Sequence, residues 1–455
     1  MIQKKAEKPI LTVPVSSDAE LIAATIRSGN EFLKLEIPAA QGETFDFLAE
    51  YPLPFPPEQT VVESEEALFR RIAWKDHAEK LSDPPGVLRP RFHFSPACGW
   101  LNDPNGLFWL NGEWHLFFQY NPFSCRWGNM HWKHATSRDL IHWEEKEIVL
   151  YPDSFGTMFS GSAVVDRENA AGFGKEAILL FYTNAFYDGG SSQNLAFSTD
   201  GGKTFRKYGR NPILPGFSGF CDRDPAVVFD PEEACWRMAL YLGDESKRTF
   251  LLLRSENLLN WSVTASWNIE NGRECPILLR MRDESDGVWK WVFAEANGCY
   301  RIGRIQKGRV LFESESRRFL CGDAYAGQCF ANSPGENPVF LAWLRMPEPV
   351  SKRYCGMMSS PMKLSLSARR LRVSPFVLCG RSEPFETVGS AEKPLPEGNV
   401  IFDVEHHQIR FRERSWDLPS GISALKGRFL LDATSLEYFD DSGLFAFCLT
   451  CRTGE

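Results

Sequence analysis

The sequence predicts an all-β fold, a five-bladed β-propeller with an accessory β-sandwich-like domain, and three observations carry the prediction. The middle of the chain is a series of short apolar runs broken by Gly, Asn, Asp and Pro, with few helical periods. A plan of apolar run, polar turn and second apolar run, as in GLFWLNGEWHLFFQYNP (Gly106 to Pro122), returns from Gly161, Asp224, Cys275 and Gln328. The second half of the unit recurs too: SRDLIHW (Ser137 to Trp143) matches SENLLNW (Ser255 to Trp261), and STDGGKTF (Ser198 to Phe205) holds the same place between them. The last string, with Asp and two Gly, suits a tight hairpin joining outer strands. Repeats of roughly 50 to 60 residues, each about four strands, are the signature of propeller blades. A large β-sandwich, the rival architecture, requires no such periodic similarity.

A chain of 455 residues is too long for one ordinary core. The repeats assign residues 89–375 to the propeller, leaving a β-rich extension over 1–88 and a short sandwich-like tail over 376–455. The extension contains the strand-like runs EFLKLEI and TFDFLA ahead of the Pro-rich YPLPFPP. It is expected to pack on or complete the tail, because a half-sandwich would leave an apolar face wet.

Hydrophobic residues at 43% and charged residues at 24% describe an ordinary folded protein. The aromatic share of 13%, with 14 Trp and 35 Phe, fits sugar-stacking surfaces and β-rich cores equally. A net charge of -8 argues against a nucleic acid partner and favours a neutral substrate. No stretch approaches the roughly 18 apolar residues needed to span a membrane. The N-terminus lacks the continuous apolar core of a signal peptide, so the expected location is cytoplasmic, or secreted if a leader has been removed. None of the 12 Cys stands at a spacing that pairs it with His as a zinc ligand. No metal and no cofactor is expected, and free thiols in a reducing compartment are the default.

The candidate chemistry lies in short polar strings at the head of each unit. These are Asp103 in GWLNDPNGL, Ser160 in FSGSAV, Asp224 in RDPAV, Glu274 in RECPI, and Asp323 with Tyr325 in GDAYAGQ. The first strand of each propeller blade lines the axial channel, so residues heading those strands converge from distant parts of the sequence. Glycoside hydrolysis requires such grouped acids, one to protonate the departing oxygen and one to attack or steady the cationic sugar carbon. Crowded carboxylates raise one another's pKa, which keeps one protonated near neutral pH.

At these residues the chain resembles glycoside hydrolase family 32, the invertases, exo-inulinases and levanases. WLNDPNG at Trp100 to Gly106 resembles the family's nucleophile motif, RDP at Arg223 to Pro225 its middle acid, and ECP at Glu274 to Pro276 its acid/base. The resemblance runs from about Phe92 to Pro375 and continues weakly in GRFLLDATSLEYF (Gly427 to Phe439). It implies a retaining hydrolase that releases fructose from terminal β-D-fructofuranosides such as sucrose, inulin or levan. Asp103 would be the nucleophile, Glu274 the acid/base and Asp224 the transition-state stabiliser with Arg223 beside it. Asn102, Gln119, Trp127, Phe159, Ser160, Arg223 and Trp343 would line the fructose pocket, and Cys275 would pack against or tune Glu274. Two departures stand out: Lys133 replaces a common Gly, placing a cation near the pocket's outer wall, and Asp323 is not followed by the usual aromatic. A fructosyltransferase and a non-catalytic sugar-binding propeller are the rival functions. Oligomeric state and the choice among fructosides stay open.

Overall fold

The computed structural model describes residues 1–79, 83–270 and 272–454. Five antiparallel sheets are arranged around an axis, and their innermost strands are Gly99–Leu110, Gly156–Asp166, Arg223–Asp230, Ile277–Arg282 and Ala324–Cys329. Each sheet runs outward in chain order, by successive hairpins in the first four blades and with an excursion between the second and third strands in the fifth. The interfaces between blades are apolar. Phe108, Phe117, Trp132, Leu180 and Tyr182 fill the first, while Tyr241, Phe250, Trp267 and Phe293 fill the third.

The ring closes by backbone pairing. Tyr354–Cys355, from the fifth blade's region, adds in parallel to the inner edge of blade 1, with Tyr354 opposite Gly99 and Cys355 opposite Trp100. Farther along the same inner strand, the Ala331 N–H donates to Leu107 O and the Trp109 N–H to Ala331 O. Closure of this kind removes the exposed sheet edges that an open array would leave.

The repeated strings are turns between the third and fourth strands. The Asp139 carboxylate accepts the N–H groups of Ile141 and His142, and the Trp143 indole donates to Leu140 O at 3.1 Å. Asn257 and Trp261 reproduce this arrangement, and Asp200 accepts from Lys203 and Thr204 in blade 2. The side-chain oxygen mimics a turn carbonyl, which explains why an Asp or Asn stands there.

The tail forms its own sandwich, but its completion differs from expectation. One sheet contains Arg381–Thr387, Leu425–Asp432, Ser435–Asp440 and Ala446–Thr450, joined in parallel by Leu320–Gly322 from between blades 4 and 5. The other sheet runs from Ser390–Lys393 to Arg414–Asp417. Phe402, Ile409, Phe429, Tyr438 and Phe447 fill the space between. The missing strand is therefore supplied by the propeller.

Residues 1–88 instead build two small sheets, Ile2–Lys5, Val61–Ser64, Ile22–Ser28 and Glu31–Ile37 in one and Phe47–Pro52, Ile10–Val15 and Ala73–Lys75 in the other. Their apolar side chains join the core of blade 1, not that of the sandwich. Buried Tyr51 anchors the contact: its hydroxyl lies 3.0 Å from His131 Nε2 and its ring 5.0 Å from Phe123. Asn129 and Glu36 bond through two backbone-to-amide contacts nearby. Apolar area, not an unpaired sheet edge, decided where the extension docks. Tyr51→Ala is expected to cost about 3 kcal/mol, the range for emptying a buried aromatic site. Urea unfolding at the parent midpoint would contradict this docking.

Candidate active site

The acids occupy irregularities in the inner strands. The ladder slips between Leu101 and Pro104, between Phe159 and Gly161, and between Arg223 and Ala226, so Asp103, Ser160 and Asp224 each sit on a bulge. A bulge turns a side chain away from the regular alternation, which aims these groups toward the axis. The acids therefore lie inside or immediately before the first strands. Gly161 is required beside Ser160 because a Cβ there would stand 1.9 Å from Phe181 O.

Two further positions hold left-handed backbone: Asp224 at φ 66° and Cys275 at φ 52°. Such non-glycine conformations cost on the order of 1–3 kcal/mol and persist only where neighbours over-determine them. Here each N–H is captured. Asp224 N–H donates to Thr183 Oγ1 at 3.0 Å, and Cys275 N–H donates to Asp224 Oδ2 at 2.9 Å. Thr183 in turn donates to Gln193.

Around this backbone the three acids converge. Ser160 Oγ donates to Asp103 Oδ2 at 2.6 Å, Asn102 Nδ2 approaches Asp103 Oδ1 at 3.2 Å, and Gln119 Nε2 reaches Ser160 Oγ at 3.3 Å. Asn102 is itself held by the Trp100 indole. Arg223 donates through Nε and Nη2 to Glu274 Oε2 at 2.9 and 2.7 Å, and Tyr325 OH donates to Oε1 at 2.9 Å. The Cys275 thiol spans the two aspartates, with Sγ 3.5 Å from Asp103 Oδ2 and 3.5 Å from Asp224 Oδ2. Its place is thus between the aspartates and not against Glu274 alone.

Aromatic rings bound the hollow. Trp127 is 59% exposed and meets Phe159 edge-on at 5.8 Å. Trp343 stands edge-on to Trp100 at 5.7 Å and to Tyr325 at 6.3 Å. Beneath, Gln328 Nε2 donates to Gly161 O at 2.8 Å, joining the inner strands of blades 5 and 2 across the channel. A cavity of about 730 Å³ opens farther along the same strands, among Leu107, Ala163, Val228 and Leu279, and contains none of the three acids.

Burial and mutual repulsion govern the charges. Asp103 keeps some contact with solvent, yet the enclosing protein raises its pKa to about 6, with Glu274 adding repulsion and Ser160 opposing it. Asp224 is pushed to about 7, chiefly by burial, against the pull of Arg223 and with the repulsion of Glu274 and Asp103. Arg223 stays firmly cationic beside two carboxylates. Desolvated carboxylates with raised pKa, gathered at one hollow, are the electrostatic profile of a catalytic site.

The structure joins Asn102, Asp103, Gln119, Ser160, Arg223, Asp224 and Glu274 in one cluster through Cys275, with Phe159 next to Ser160 and Trp127 and Trp343 one ring contact farther out. Two other expectations are corrected. Asp323 points into the sandwich, where its carboxylate accepts from Thr450 N, Thr450 Oγ1 and Arg414, so it pins two domains together. Lys133 lies within blade 1, ion-paired to Glu145 and 4.7 Å from the centre of the Tyr120 ring, because a buried ammonium requires a carboxylate partner. Thr183 escaped notice, although its signal was present: a polar YTN breaks the apolar run ILLFYTNAF (178–186).

The sequence profile described as Glycosyl hydrolases family 32 N-terminal domain matches residues 93–375. A levanase of Bacillus subtilis is 36% identical over 292 residues, covering 60% of this chain and 41% of its own. An extracellular exo-inulinase of Aspergillus awamori is 36% identical over 292 residues, covering 56% and 54%. The chain thus spans about two-fifths to just over half the length of these relatives. Among solved structures, exo-inulinase from Aspergillus awamori shares the fold with a TM-score of 0.69 at 24% identity, over 82% of this chain and 94% of that one. A Bombyx mori GH32 β-fructofuranosidase gives a TM-score of 0.63 at 26% identity, over 81% and 89%. The profile spans all five blades and every residue of the acid cluster, and on that match the chain belongs to glycosyl hydrolase family 32.

Proposed function

We propose that this chain is a retaining glycoside hydrolase that releases fructose from terminal non-reducing β-D-fructofuranosides. The observation that carries the reading is the pair of carboxylates in unlike settings at one hollow. Asp103 is bonded by neutral donors, and Glu274 is clamped by Arg223 and Tyr325. Membership in a family whose relatives are named levanase, exo-inulinase and invertase supports the sugar assignment.

In the first step the Asp103 carboxylate attacks the anomeric carbon of the fructosyl ring, and the glycosidic C–O bond breaks as Glu274 delivers its proton to the departing oxygen. Arg223 and Tyr325 then hold the carboxylate that Glu274 has become. In the second step Glu274 takes a proton from water, the oxygen attacks the same carbon, and the ester to Asp103 breaks to free fructose. Asp224, near neutrality in its titration, hydrogen-bonds ring hydroxyls and balances positive charge at the transition state. Trp127 and Phe159 offer faces to the sugar and Trp343 a ring at the opposite wall.

Asp103→Asn and Glu274→Gln are each expected to lower reducing-sugar release from sucrose, inulin or levan by at least about 10³-fold. Near-parental turnover by either would overturn the roles. Product analysis at high sucrose tells whether water or a second sugar is the acceptor.

Because Asp103 must be ionised to attack and Asp224 to balance the positive charge, kcat/KM is expected to fall as pH drops below about 7 and to fall more steeply below about 6. A profile flat down to pH 4 would contradict this. Stability moves the opposite way. An unfolded Asp ionises near about 3.9 and the folded one near 6, so the protonated fold is favoured and stability declines as pH rises through that window. Asp103→Asn is expected to be more stable than the parent by about 2 kcal/mol above pH 7, with the gain vanishing toward pH 4. Thermal melts at both pH values measure it, and an unaltered or reversed difference would refute the assigned burial cost.

A further inference from the structure

The N-terminal extension does more than cover blade 1. Between it and blades 1 and 2 lies a cleft of about 1050 Å³, separate from the acid cluster. Phe32 and Lys34 form one wall, and Tyr151, Phe155, Tyr187 and Lys207 belong to the propeller side. The two sides are tied at one end, where the Lys34 N–H donates to Tyr187 OH and the Lys34 ammonium lies 5.0 Å from the centre of the Tyr187 ring.

Three features describe what the cleft accepts. The first is an exposed aromatic held on a fixed backbone. Phe155 is 68% exposed, yet its N–H donates to Asp153 Oδ1 and its carbonyl accepts from Tyr187 N. With Phe32, Tyr151 and Tyr187 lining the same cleft, this ring belongs to an aromatic-lined surface and does not stand alone. The second is an unmatched buried polar group. Asn184, a lining residue of the cleft, is 1% exposed; its Nδ2 donates to both oxygens of Asp153, while its Oδ1 has no hydrogen-bond partner among the described residues. A buried carbonyl oxygen left without a donor is destabilising, and the hydroxyl and amide groups of Ser192 and Asn194 line the same cleft. The third is charge of both signs: Lys207 donates to Asp153 Oδ2 at 2.7 Å and to Tyr151 O, and Glu31, Lys34 and Asp188 also line the cleft. Aromatic rings, amide groups and charges of both signs without a large excess of either fit a neutral polyhydroxylated chain.

The cleft also lies close to the acid cluster along one strand. Phe155 immediately precedes the strand Gly156–Asp166, and Phe159 of that strand meets Trp127 at the hollow. Four residues of extended chain span about 13 Å, so the two surfaces lie within reach of one polymer.

We propose that this cleft is a second carbohydrate-binding site, made jointly by the N-terminal extension and blades 1 and 2, which holds a neutral fructose polymer at a distance from the acids. The identity of the sugar rests on the fructosidase reading; the cleft itself does not. Two substitutions test it without touching the catalytic groups. Phe155→Ala removes an exposed ring. Gly209→Trp narrows the cleft from a lining position where a Cβ meets nothing within 4 Å.

Native gels containing inulin or levan measure the binding, with the full chain carrying Asp103→Asn so that the polymer is not consumed. The parent is expected to be retarded in at least one polymer, and each cleft variant to lose about fivefold or more in affinity. In the chain with Asp103 restored, each variant should raise KM for the polymer several-fold and leave sucrose kinetics unchanged. Parent-like retardation of both variants, absence of retardation in the parent, or an equal loss on sucrose would overturn the proposal. If the parent cleaves no fructoside but is retarded, and the variants are not, the cleft stands and the fructosidase reading falls.

Discussion

The site depends on closure of the ring. Asp103, Asp224 and Glu274 come from three blades, and no local structure holds them together. Their meeting requires the backbone pairing of Tyr354–Cys355 with Gly99 and Trp100, together with the bonds through Ala331 that join the last blade to the first. Once the ring is shut, the inner strands present their heads to one axis, and bulges at those heads turn polar side chains inward.

What the closed ring creates is electrostatically unfavourable. Three carboxylates share a poorly solvated hollow, and two of them pay in raised pKa. Two residues at the same place hold left-handed backbone. Neither cost is sustained locally. Apolar interfaces between blades, the sandwich bound through Leu320–Gly322 and Asp323, and the extension anchored at Tyr51 supply the stability against which the site is held.

Much of this was legible in the sequence, for identifiable reasons. Turns whose Asx and Trp side chains cap the backbone recur because each blade needs the same corner, so SRDLIHW and SENLLNW disclosed the repeat. The acids were found because equivalent positions in a propeller converge. The failures share a cause as well. Asp323 occupies a blade head, but its fate is decided by Thr450 and Arg414, more than 90 residues away. The place of Lys133 is set by its partner Glu145, and the docking of residues 1–88 by a propeller strand that already completes the sandwich. Local pattern reports corners and faces; partners between domains are set by tertiary packing.

The most direct trial of the account is a crystal structure of the Asp103→Asn chain with sucrose or a short fructan bound. It should place one fructosyl ring in the hollow, its anomeric carbon toward residue 103, its bridging oxygen toward Glu274 and its hydroxyls on Asp224. A sugar seated with its anomeric carbon turned away from residue 103, or a hollow left without any fructosyl ring, would contradict it.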